Sequence, residues 1–415
     1  MGERLDERDS SGALDDEALG DEVEEWLRTN LPAEWVDAID RDDAAALRQA
    51  REHLDVAAWW ERLGDSGWFF SSWPVEYGGH GFDTHRAGVV NNVLRRYKVP
   101  RTDNPLGINV SQALLRWGTA DQCRRYLPEI AHQREIWVQL FSEPGAGSDL
   151  AGLSTRAVRD GDQWVVNGQK VWSSWAHKAQ MGLLLARTDP DVPKHRGLSI
   201  FLLDMATPGV TVRPLRQMTG EAFFNEVFFD DVVCPDGQRL GGLGEGWRMA
   251  SSLLTFERGA GVGGGASAPS MHVGRTIDAL VRHYCPVAEP ALRQRLAVAY
   301  TRDKIEHWTR MRIEAGRRAG RPPGNEYSIL KLFHSETVQA LQTLSLDLEG
   351  LNGTAHAPDD RWASTTAYGF LRARSQTIAG GTSEIQRNIL GEKVLGLPRE
   401  PAVDRDIPWS QVLRS

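Results

Sequence analysis

Cysteine is scarce: a chain of 415 residues carries only Cys123, Cys234 and Cys285. They lie far apart without metal-type spacing, which argues against a disulfide framework or a metal site and suits reduced thiols in a cytoplasmic protein. Long apolar runs are missing too. No segment approaches eighteen uninterrupted apolar residues, so no membrane span is expected. Basic residues are outnumbered, 48 Lys and Arg against 56 Asp and Glu, and a net charge of −8 leaves no electrostatic footprint for nucleic acid. The histidines, among them His177, His195 and His334, form no triad-like or metal-like pattern, and none is assigned to chemistry.

What is present suits a multidomain globular protein. At 41% hydrophobic and 25% charged, the composition is ordinary, and the length exceeds what one compact core accommodates, so two or three domains are expected. The first 25 residues hold eleven acids against Arg4 and Arg8 and read as a solvated, partly mobile head. Fifteen tryptophans are many for this length, and most are expected in cores or interfaces.

Periodicity divides the chain. From 22 to about 134 apolar residues recur at three- and four-residue spacing, notably in 46–63, 87–97 and 111–115, which predicts helices. From Trp137 the period changes. The run 163–172 reads as two strands joined at Asn167-Gly168, a hairpin signal, and further β runs follow at 182–187, 198–203, 210–213 and 225–229. These spacings suit a small barrel or sandwich. After the glycine-rich 241–246, long helices are expected near 247–258, 271–283, 292–312, 327–351 and 385–395, forming a bundle. The expected class is α+β multidomain: an acidic head (1–20), an N-terminal helical domain (21–135), a middle β-barrel or sandwich domain (136–244), a C-terminal four-helix bundle (245–399) and a tail (400–415).

Three strings carry the chemistry. Phe141-Ser142-Glu143-Pro144-Gly145-Ala146-Gly147-Ser148-Asp149-Leu150 opens the β region with a Gly- and Ser-rich loop, the kind of backbone that approaches a phosphate closely. Gly380-Gly381-Thr382-Ser383-Glu384-Ile385-Gln386-Arg387 lies near the end of the bundle, and Thr382 has the position of a helix N-cap. Leu253-Leu254-Thr255-Phe256-Glu257-Arg258-Gly259 places an acid directly before an arginine on an expected helix. Taken alone, Glu257 and Arg258 suit a solvated helix pair and Gly145 to Ser148 a surface turn.

Together the first two strings resemble the acyl-CoA dehydrogenase family, and the likeness runs from about 59 to 399. The resemblance implies FAD as cofactor and an acyl-CoA thioester as substrate. The α-hydrogen leaves as a proton to a carboxylate while the β-hydrogen leaves as hydride to the flavin. Many members carry that carboxylate directly before the Gly-Thr-Ser of the second string. That position is Gly380 here, without a side chain. In a smaller set, including the branched-chain and very-long-chain types, the base precedes an arginine on a helix of the C-terminal domain, and Glu257-Arg258 fits that alternative. The catalytic residues so implied are Glu257 as base and the N–H of Gly380 at the thioester oxygen. Gln139, Phe141, Ser142, Gly147, Ser148, Trp172, Ser173, Ser174, Thr382 and Glu384 match cofactor-binding positions, and Ser148, Arg258 and Gly381 match substrate-binding ones. No metal is implied. A displaced base suggests a branched, bulky or cyclic acyl group, and an electron-transfer flavoprotein is the acceptor implied.

The chain departs from the family in two places. The Arg-x-x-Phe-Gly string that binds a neighbouring subunit's FAD is replaced by Arg282-His283-Tyr284-Cys285-Pro286, and Gln-x-Leu-Gly-Gly by 347–353, Asp-Leu-Glu-Gly-Leu-Asn-Gly. These departures leave a homo-oligomer and a heterotetramer with a related chain both open. Other readings are a flavin oxidase or monooxygenase on the same fold, and a non-catalytic partner subunit of a heteromeric enzyme.

Overall fold

A computed structural model describes residues 9–100, 105–262, 274–286, 289–318, 324–357, 359–402 and 404–412; the side chains of 9–14, 105, 256–262, 314, 317 and 318 fall outside the described set. The chain divides into two compact units, residues 1–107 with 114–136, and residues 108–113 with 137–415.

Among the described residues, seven helices occupy the N-terminal part: α1 (Asp9–Asn30), α2 (Ala33–Asp40), α3 (Ala44–Glu52), α4 (Val56–Ser66), α5 (Thr84–Arg96), α6 (Pro105–Trp117) and α7 (Ala120–Ala131). The helical spacing over 46–63 resolves into two helices: α3 closes at His53, and Asp55 opens α4 by accepting from the Ala58 N–H at 3.0 Å. Asp43 and Asp83 cap α3 and α5 in the same way, and Thr119 forms a capping box with Gln122 on α7. The acidic head needs correcting. A helix begins at Asp9, and Leu19, Val23 and Leu27, one turn apart, are buried with Trp35, Trp59 and Leu63. The acids of this helix therefore lie beside a hydrophobic stripe that anchors it. Residues 1–8 are outside the described set.

Eight strands follow: β1 (Trp137–Leu140), β2 (Arg156–Asp160), β3 (Gln163–Ser174), β4 (Met181–Arg187), β5 (Leu198–Asp204), β6 (Val210–Leu215), β7 (Phe224–Pro235) and β8 (Arg239–Leu240). They form one mixed sheet in the order β6-β7-β3-β2-β4-β5-β8, with β1 parallel to β4. The hairpin expected at Asn167-Gly168 is absent. Both residues lie inside one long strand, and pairing with β7 continues across them with a register shift between Val166 and Gly168. Gly168 is needed for close approach: with φ +150°, its Cβ would stand 2.7 Å from Thr155 Cα. The actual hairpin turn is Gly161-Asp162, which joins Asp160 of β2 to Gln163 of β3.

The remaining helices are α8 (Gly246–Val262), α9 (Ile277–Tyr284), α10 (Pro290–Arg318), α11 (Glu326–Glu349), α12 (Arg361–Ala373) and α13 (Ser383–Ile389), the last continued by a π-helical turn over Leu390–Val394. Helix α11 is the hub, packing against α8, α10, α12 and α13. Helix α8 also packs on β4 and β5, where Met249, Ala250 and Leu253 are buried. Thus the architecture is helical, then β, then a helical bundle. Helix α12 was not expected from the sequence, although Asp360 caps it through the N–H groups of Trp362 and Ala363.

Candidate active site

The loop between β1 and β2 is built on a buried ion pair. Lys170 of β3 is 0% exposed, and its Nζ donates to Glu143 Oε1 at 2.8 Å and to the Phe141 carbonyl at 2.9 Å. Glu143, 7% exposed, also accepts from the N–H groups of Ser154 at 2.6 Å and Thr155 at 2.8 Å. Burial pushes the Glu143 carboxyl up, but the Lys170 charge and these donors more than offset it and hold it below the ordinary glutamate value. Burial lowers the Lys170 ammonium to about 8 against the pull of Glu143. The pair fixes one end of a small hairpin, which its own backbone closes: Glu143 and Ala146 exchange N–H···O bonds of 3.1 Å around Pro144-Gly145.

On this base Gly145, Gly147, Ser148 and Asp149 are exposed. A Cβ built on Gly145 or Gly147 meets nothing within 4 Å, and neither glycine has a positive φ. The chain's own packing therefore does not require glycine at either position. A ligand approaching the backbone would, and that fits a dinucleotide pyrophosphate.

Beside the loop, the Val171 N–H donates to the Ser142 carbonyl at 2.9 Å. A register shift between Lys170 and Ser173 turns the next residue outward. Trp172 adopts φ 61° and is 61% exposed, with its ring edge-on to Phe224 at 5.8 Å. A left-handed tryptophan stores about 1–3 kcal/mol of strain, which commonly marks a ligand surface. Gln139 on β1, Ser142 and Ser174 are half-buried nearby in the sequence of strands. Phe141 and Ser173 point inward and are buried. The Ser173 hydroxyl has no partner among the described residues, and with both of these side chains buried the exposed ring-sized surface belongs to Trp172.

The second string forms a tight turn. Gly380 and Gly381 have φ +67° and +94°, and Thr382 then caps α13 by accepting from the Ile385 N–H at 3.2 Å. Lys331 of α11 donates from Nζ to the Gly381 carbonyl at 2.5 Å, and buried Gln386 donates to the Gly380 carbonyl at 3.0 Å. With both carbonyls held, no acceptor among the described residues takes the Gly380 N–H. A glutamate at 380 would need a left-handed backbone, and its Cβ would contact Lys331 Cε at 3.8 Å. Glu384 is exposed on the first turn of α13.

Residues 257 and 258 lie on α8, one turn beyond buried Leu253; the side chains of Glu257 and Arg258 are outside the described residues. Their helix and the Gly380 turn meet the same element, α11. In the departed string, His283 stacks on Trp362 at 4.2 Å, and the Trp362 indole N–H donates to Tyr284 Oη at 3.1 Å. That segment is thus engaged within its own bundle. Sequence reasoning missed Lys170, Glu143 as its partner, Lys331 and Gln386. Alternation along β3 from Trp164 and Val166 does place position 170 inward, and that signal was available. No metal-like cluster of His, Cys, Asp and Glu occurs among the described residues, nor does a helix long and apolar enough to cross a membrane.

The chain matches the acyl-CoA dehydrogenase N-terminal domain over residues 14–134, the middle domain over 139–232 and the C-terminal domain over 244–395. It is 38% identical over 390 residues to the acyl-CoA dehydrogenase IpdE1 of Mycobacterium tuberculosis, covering 91% of this chain and 97% of that protein. Among solved structures it resembles the Tcur3481-Tcur3483 steroid ACAD, with a TM-score of 0.70, 26% identity, and coverage of 93% of this chain and 98% of that one. It also resembles a chain of the ChsE4-ChsE5 complex from Mycobacterium tuberculosis, with a TM-score of 0.65, 26% identity, and coverage of 96% and 100%. The chain belongs to the acyl-CoA dehydrogenase family of oxidoreductases.

Proposed function

We propose that the chain desaturates an acyl-CoA thioester at its α,β bond, with a branched, bulky or cyclic acyl group as substrate. FAD, when bound against Trp172 and the 143–149 loop, supplies the acceptor for the β-hydride. Glu257 takes the α-proton. The Gly380 N–H donates to the thioester oxygen as negative charge develops there. Ser148 serves both cofactor and CoA arm, and Gly381 and Arg258 line the substrate.

The observation that carries this reading is the open glycine loop beside an outward-turned Trp172, a surface the chain itself does not fill. The uncommitted Gly380 N–H supports the oxyanion role. The likeness to a steroid ACAD supports a large acyl group. An electron-transfer flavoprotein is the acceptor we assign.

A related chain is the partner we assign in the oligomer, because α10 presents Val298, Ile305 and Trp308 outward at seven- and three-residue spacing. Val298 also lines a groove of about 310 Å³ with Ala299, Leu341 and Leu344. The assembly of ChsE4 with ChsE5 favours a heteromer over a homo-oligomer.

The test is the visible spectrum of the purified protein and its anaerobic bleaching by acyl-CoA thioesters. Stoichiometric flavin that bleaches faster with a cyclic or branched thioester than with butyryl-CoA is the expected result. Equal bleaching would overturn the substrate assignment, and a protein without flavin, alone or with a copurifying chain, would overturn the activity.

A further inference from the structure

Residues 404–412 fold back onto the exit of the glycine loop. Pro408 bridges Pro193 in antiparallel fashion, the Trp409 N–H donates to the Val192 carbonyl at 2.9 Å, and the Ser410 N–H donates to the Pro190 carbonyl at 2.8 Å. The segment thereby lies along the turn between β4 and β5.

Its side chains then reach the loop. Just past Leu150, the three successive carbonyls of Ala151, Gly152 and Leu153 are all held. Arg187, buried at the end of β4, donates to Ala151 at 2.6 Å and to Leu153 at 3.2 Å. The middle carbonyl, Gly152, accepts from the Trp409 indole N–H at 3.2 Å. The same indole covers the Arg187 guanidinium, 4.3 Å from the ring centre, and keeps that cation over an aromatic face. A second link runs through Lys194, whose Nζ donates to Asp149 at 3.0 Å and to Asp404 at 2.6 Å. The loop therefore ends in a backbone fixed from two sides, and the segment 404–412 supplies part of each.

We infer that Trp409 and Asp404 are positioning residues for the flavin loop, setting how firmly the 143–149 backbone is presented to the cofactor. This rests on the reading that the loop cradles FAD. Preorganised donors bind more tightly than donors that must be ordered on binding, so loosening the loop exit weakens cofactor affinity without touching the reacting atoms. Loss of the indole also exposes Arg187 to water and lets it leave the Ala151 and Leu153 carbonyls.

The experiment compares wild type with Trp409→Ala, Trp409→Phe and Asp404→Asn in the full chain, by two readouts. Hydrogen exchange of the 145–153 amides, read without flavin, should quicken in W409A and D404N and return toward wild type in W409F, which restores the ring over Arg187. FAD titration by flavin fluorescence should show binding about tenfold weaker in W409A, with kcat at saturating FAD unchanged. Unchanged exchange and unchanged FAD affinity in W409A would overturn the positioning role while leaving the flavin reading intact. If wild type binds no FAD, alone or with a copurifying chain, the flavin reading falls and the inference falls with it. Should W409A lose protection throughout the chain, D404N, which removes only a charge, decides the outcome.

Discussion

Buried charge at Glu143 and Lys170 makes the loop's foundation sensitive to acid. Because the Glu143 carboxyl in the folded chain lies below its ordinary value of 4.5, the pair's contribution is fully present above that value and is lost as pH falls through the lowered one. Thermal melts from pH 7 to pH 3 should therefore show a steeper fall for wild type than for Glu143→Gln. At pH 7 the variant should be less stable by about 3–5 kcal/mol, since it leaves Lys170 buried without its counter-charge. A denaturant titration gives that difference directly. At the proposed reacting centre, Glu257→Gln should keep the fold and the proposed flavin binding while lowering turnover by about 10²–10⁴-fold, read as slowed anaerobic bleaching. Turnover within twofold of wild type would place the base elsewhere.

At the scale of elements, the loop and the sheet make separate demands. Gly147→Val adds side-chain atoms where the chain has open space, so apo stability should change by less than about 0.5 kcal/mol while FAD affinity falls. A variant that binds FAD as well as wild type would show that nothing approaches this backbone. The three-part architecture was legible because the hydrophobic period changes at Trp137 and again after Gly246, and local pattern carries that information. The Asn167-Gly168 pair misled because a hairpin turn and a bulge share a dipeptide. Only the approach of Thr155 to Gly168, from thirteen residues earlier in the chain, distinguishes them. Helix α12 was hidden because the residues it buries, Ala363, Thr366, Gly369, Arg372 and Ala373, are small or polar, although the Asp360 cap was in view. For the candidate site, motif strings singled out Gly145, Trp172 and Gly380. The side chains holding them in place were not legible, because Glu143 finds Lys170 across 27 residues and Lys194 finds Asp404 across 210.

At the scale of the molecule, Trp308 on α10 stands apart from the tryptophans packed in cores, since it is 63% exposed. An exposed tryptophan three residues from the exposed Ile305 on the same helix is costly to leave in water. Ile305→Glu combined with Trp308→Glu should lower the mass measured by light scattering while leaving the circular dichroism of the helices unchanged. An unaltered mass would assign the contact to another face.

The acid and the oxyanion donor of the proposed reaction travel on different pieces of chain. Glu257 belongs to α8, the Gly380 turn precedes α13, and α11 is the element that both α8 and the turn meet. Such a division gives the fold a form of evolvability. Substitutions that shift α8 can widen or narrow the space beside the substrate's α and β carbons while the backbone donor stays anchored by Lys331 and Gln386. A lineage can thereby explore new acyl shapes one helix at a time, without rebuilding the part that stabilises charge.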